Sequence, residues 1–201
     1  MKADCRKLLL AAAFALTLPG CASLMRDAPS QQISAPKPDK ATIVFMRTSM
    51  VAGAIGCDLF EVVNGELRFI GQLPTGNKLA YETAPGDNKV FMAYGTAADF
   101  MIANVSAGKT YYSIVRPNWG TGGFAPTPIR GRSSMDPDVN SSQFKDWMSS
   151  TKLIETAEGA PAWFNENKAR LQAIYVDYWS RFERKSPSEK AERTLIAIDG
   201  Q

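Results

Sequence analysis

The 201-residue chain contains no histidine. That removes Ser-His-Asp and Cys-His nucleophilic arrangements and the usual zinc sites. Ser-Lys chemistry would need a desolvated lysine, but Ser30, Ser34 and Lys37 stand among prolines and polar residues. Gly108-Lys109-Thr110 has the ending of a phosphate-binding loop. The motif needs a further glycine where this chain has Ala103, and a helix where Tyr111–Val115 reads as a strand. Gly120-Thr121-Gly122-Gly123 lacks the dinucleotide spacing and precedes no helix. Carboxylate pairs such as Asp136/Asp138 and Glu155/Glu158 lie in polar stretches, which offer no pocket to raise a pKa. The expectation is a protein that is not an enzyme, with no metal and no cofactor.

Recognition is the chemistry that remains. Trp119 and Phe124 bracket a glycine-rich stretch, and Arg130 and Arg132 follow shortly after. Trp and Arg are favoured binding anchors, and loops on rigid β scaffolds often carry recognition. Arginines suit carboxylates and phosphates. Aromatic faces suit sugar rings. These four residues form the candidate binding surface. The competing expectation is that Trp119 and Phe124 fold back and pin the loop.

Cysteine use depends on processing. Lys2, Arg6 and Lys7 precede an apolar run, Leu8–Leu18, which ends at Leu18-Pro19-Gly20-Cys21. A basic start, a short apolar core and a small residue before the break are the marks of a secretory signal, residues 1–20. The run is too short for a bilayer, which takes about 20 residues. The tetrapeptide resembles a bacterial lipobox. The resemblance implies that Cys21 takes a diacylglycerol, becomes the mature N-terminus and is N-acylated. It also implies three acyl chains, which suffice for stable anchoring where one does not. Ala22, where an Asp would signal retention, favours the outer membrane, on its periplasmic face. Cys57 is then the sole remaining thiol, expected to be buried beside a strand as a small hydrophobe. Of 23 basic and 20 acidic residues, the signal removes three and one, leaving a net charge of +1. No nucleic-acid partner is implied.

The remaining chain must position these groups. Residues 21–40, with Pro29, Pro36 and Pro38 and no apolar period, read as a disordered tether. Such a leash would hold a domain about 25 Å from its anchor. Residues 41–135 read as a β-sandwich domain. Strand-like runs cover 41–47, 58–63, 66–71, 79–83, 89–94, 100–105 and 110–116. Asn64-Gly65 is a two-residue hairpin turn, and Pro85-Gly86 a further turn. The fold class expected is mainly β, an antiparallel β-sandwich of about seven strands with a C-terminal helical extension.

Residues 136–201 read as that extension, packed on the sandwich. Phe144, Trp147 and Met148 share a short helix. Phe164, Leu171, Ile174, Tyr175, Tyr178 and Phe182 form one helical stripe, and Pro161 suits the first turn. Ser186-Pro187-Ser188-Glu189 reads as a capping box that opens another helix.

Ala41–Arg47, Gly71 at a strand end, Pro85-Gly86, Ala107–Tyr112 and the stretch from Trp163 to Gly200 together resemble bacterial lipoproteins with a small β-sandwich domain of unknown function. The resemblance carries no catalytic residues. It implies a lipid-anchored, periplasm-facing envelope protein, a non-catalytic structural or binding module. Its partners would be the membrane, through lipid on Cys21, and an envelope protein or glycan. The alternatives are an envelope enzyme of unknown reaction and a carrier of an apolar ligand between the sheets.

Overall fold

The structure is a computed structural model that describes residues 23–50, 53–131 and 137–201. Cys21 and Arg132 lie outside the described residues. In chain order the strands are β1 (Met25–Asp27), β2 (Ala41–Arg47), β3 (Asp58–Val63), β4 (Glu66–Gln72), β5 (Asn77–Thr83), β6 (Gly86–Tyr94), β7 (Ala98–Val105), β8 (Thr110–Asn118) and β9 (Gly123–Ile129). Helix α1 (Ser142–Ser150), β10 (Lys152–Thr156), α2 (Ala160–Glu183), α3 (Pro187–Glu192) and β11 (Thr194–Leu195) follow.

Two sheets face each other. One has the order β1-β10-β5-β2-β8-β9 and the other β11-β7-β6-β3-β4. Ile43, Phe45, Leu79, Tyr111 and Val115 from the first meet Leu59, Phe91, Met101 and Ala103 from the second. Each outer face is covered as well. Phe164, Leu171, Tyr175 and Phe182 of α2 pack on Phe60, Met92 and Phe100. Phe144, Trp147 and Met148 of α1 pack near Val44, Met46 and Ile114. The layers therefore run helix, sheet, sheet, helix. This explains why all seven residues of β2 are buried. A strand covered on both faces reads as a continuous apolar run rather than an alternation.

The architecture is mainly β with a C-terminal helix, but two expectations change. Eleven strands replace about seven among the described residues, and the sheets are mixed. β2 runs parallel to β8, β10 to β5 and β11 to β7. A parallel pair needs a long crossover, for which a helix is the usual device. Here β3 to β7 make the crossover between β2 and β8 by passing through both sheets.

The unforeseen strands each have a local reason. β9 contains Pro126 and Pro128, which argue against a strand. It is an edge strand paired only with β8, where proline's missing N–H is tolerated. β10 and β11 are too short to show a period, and both join sheets. Residues 136–201 are thus not purely a helical extension.

The N-terminal stretch also differs from a tether. β1 pairs with β10, and Met25 is buried against Gly71, where a side chain would stand 2.9 Å from the Met25 Cε. Gln31 exchanges hydrogen bonds with the Leu153 backbone at 2.8 and 3.1 Å. A single apolar residue docking through backbone pairing carries no periodic signal.

The Asn64-Gly65 turn and the α3 cap stand as expected, whereas Pro85-Gly86 makes no turn: Gly86, with φ 153°, opens β6 as the chain passes from one sheet to the other. Asn64 and Gly65 both have positive φ between paired Val63 and Glu66. Ser186 and Glu189 complete a reciprocal capping box at α3. Cys57 is fully buried, and burial pushes its thiol pKa far up.

Candidate functional site: the cleft at the β8–β9 turn

The β8–β9 turn is built on Asn118. Its backbone carbonyl accepts from Thr121 N at 3.2 Å and Gly122 N at 2.8 Å. Its side-chain oxygen accepts from Gly120 N at 3.1 Å, and its amide donates to Asp99 Oδ2 at 2.7 Å. The glycines serve a hydrogen-bonded turn rather than a loose loop. This geometry lifts Trp119 off the fold, and the residue is 80% exposed.

Beside the turn lies a cleft of about 450 Å³, whose walls include Arg116, Trp119, Ala125, Thr127, Glu192 and Arg193. Arg116 alternates with Ile114 and Tyr112 along β8 and so stands on the same face of the strand. Arg193 arrives from far away in sequence, just past α3. Its carbonyl accepts from Ile102 N at 2.9 Å, which fixes it at the edge of the second sheet.

The two arginines differ. Arg193 faces Asp99 Oδ2 at 3.3 Å and reaches Thr127 Oγ1 at 3.4 Å. Asp99 is buried behind it and also accepts from Phe100 N at 2.8 Å. The Arg116 side chain makes no hydrogen bond or ion pair among the described residues. Burial lowers its pKa from the ordinary arginine value, and the adjacent Arg193 lowers it further. Glu192 makes no ion pair with either arginine among the described residues.

The four residues expected to form a binding surface separate. Phe124 is 1% exposed and lies under the Arg47 guanidinium, 4.1 Å from its ring centre. It pins the turn from below. Trp119 does not fold back with it. Arg130 lies beyond the other end of β9. There it donates to the carbonyls of Thr194 at 2.5 Å and Ala191 at 3.1 Å and pairs with Asp199 at 3.2 Å. It clamps the C-terminal segment and stands away from Trp119. Arg132 is outside the described residues. Arg116 and Arg193 were missed because neither is near a motif. The alternation along β8 marks Arg116 as outward, but only docking of α3 brings Arg193 to it.

A second cleft, about 730 Å³, lies between α3 and the C-terminal turn, with Pro187, Ala191, Ile196 and Ile198 on its walls. It is outside the sandwich. Among the described residues no cluster of three or more Cys, Asp or Glu side chains could hold a metal ion. No helix among them is long and apolar enough to cross a membrane. No protein-family model matches the chain, and no curated protein matches it at a significant level.

Proposed function

We propose that this protein is a lipid-anchored binding module of the bacterial envelope, held at the periplasmic face of the outer membrane and without catalytic activity of its own. The observation that carries the reading is Gly20-Cys21 at the end of a basic and apolar leader. The site chemistry agrees with binding rather than turnover. The cleft offers an arginine free to meet a ligand and an aromatic face. It holds no activated nucleophile beside a base, which covalent catalysis requires. The carrier alternative needs a chamber between the sheets, and that space is filled by Phe45, Phe91, Met101 and Tyr111.

The test is metabolic labelling with a fatty acid in a bacterial host. Wild type should take label and fractionate with outer membranes. Cys21→Ala should lose the label and keep its leader uncleaved by the lipoprotein peptidase. Equal labelling of both proteins would end the anchored reading.

A further inference from the structure

We infer that the β8–β9 cleft takes a sugar that carries an acidic group, with the acid on Arg116 and the ring against Trp119. The choice of an envelope glycan rests on the proposed function above; the sign and shape of the ligand rest on the cleft alone.

Charge sets the sign. An exposed indole face attracts cations as readily as it stacks on rings. Here Arg116 and Arg193 flank it and repel a cation. Asp99 neutralises Arg193 from behind, while Arg116 has no such partner among the described residues. A guanidinium that faces a like charge and has no acidic partner gains most from a carboxylate or phosphate, which it can grip with two parallel N–H donors. Glu192 on the wall makes no ion pair with Arg116 among the described residues, so an acid on Arg116 need not displace an internal salt bridge.

Shape sets the rest. The cleft volume, about 450 Å³, falls within the range of small-molecule sites. Trp119 also borders a narrower hollow with Ile55, Gly122 and Phe124. The turn beneath is hydrogen-bonded through Asn118 and pinned by buried Phe124. The indole is therefore carried on a rigid base, which limits the ordering cost of binding.

The experiment is a titration of the ¹⁵N-labelled full-length protein followed at the Trp119 indole N–H, assigned with Trp119→Phe. The probes are glucose 1-phosphate, glucuronate, glucose and inorganic phosphate. At least one acidic sugar should shift the Trp119 signal saturably and more tightly than either glucose or phosphate. Which acid does so separates a phosphate-bearing glycan from a carboxylate-bearing one. Arg116→Gln should weaken that binding by about tenfold or more, the loss expected for a charged hydrogen bond. Both variants alter exposed side chains, so their unfolding midpoints should match wild type. No shift with any acidic sugar, equal binding of glucose, equal binding of phosphate, or wild-type affinity in Arg116→Gln would each overturn the inference. The same titration on Cys21→Ala protein should be unchanged, so failure of the anchor and failure of the cleft are read separately.

Discussion

Glu61 shows how one residue joins the two sheets. It belongs to β3, yet its carboxylate is buried and accepts from Tyr81 at 2.7 Å and Thr83 at 2.6 Å, both on β5 of the other sheet. Lys89 from β6 pairs with it at 2.8 Å. Burial alone would raise its pKa. The hydrogen bonds from Lys89, Thr83 and Tyr81 outweigh burial, and the net shift is downward. A carboxylate whose folded pKa is depressed contributes stability above its unfolded value, about 4.3. That contribution is lost as pH falls through the lower, folded value. Urea unfolding between pH 7 and pH 3 should therefore show wild type losing stability on the acid side. Glu61→Gln should be less stable at pH 7 and show a flatter acid limb. Parallel curves for the two proteins would remove Glu61 from the acid response.

At the scale of elements, α2 is held by its aromatic stripe. Phe182 is 2% exposed and meets Phe100 edge-on, with ring centres 5.5 Å apart. Trp179 stacks on Phe182 and also meets Phe100. The polar face adds little, since Asp177–Arg181 is a surface pair. Phe182→Ala should cost about 3–5 kcal/mol, read from denaturant unfolding. An unchanged midpoint would mean that the stripe is not packed on the sheet. On the opposite side, Lys78 of β5 donates to the carbonyls of Met148 and Thr151 at the end of α1. A cation there satisfies carbonyls that the helix cannot and complements its dipole.

At the scale of the whole molecule, β1 decides how the domain meets its proposed anchor. Cys21 precedes buried Met25 by four residues. At no more than 3.6 Å per residue the anchor point is within about 14 Å of the fold, well short of a long leash. β1 is also one edge of its sheet, and the Trp119 turn joins β8 to β9 at the other. Four strand spacings separate β1 from β8, roughly 19 Å. The cleft is thus carried away from the edge nearest the proposed anchor. Limited digestion with a broad-specificity protease should reach the exposed stretch 34–39 before β1, because paired backbone resists cleavage. The piece carrying β1 should stay bound after that cut until the protein is unfolded. First cleavage within 24–27 would show that β1 does not hold.

Local rules were enough for much of this chain. The Asn64-Gly65 turn, the Ser186–Glu189 box, the α2 stripe and seven of the strands follow from backbone preference and periodicity within a few residues. The absence of histidine leaves recognition as the remaining chemistry, with Trp119 among its candidates. What local rules do not carry is pairing between distant segments. β1 and β10 exist because each supplies the other's hydrogen bonds across some 130 residues. β9 is a strand despite two prolines because it lies at an edge. Phe124 and Trp119 are five residues apart and of like chemistry, yet one is core and the other exposed. Sheet geometry makes that choice by turning one side chain inward beneath Arg47 and lifting the other on the Asn118 turn. The cleft itself is a product of docking, since Arg116 and Arg193 become neighbours only where α3 closes on the edge of both sheets.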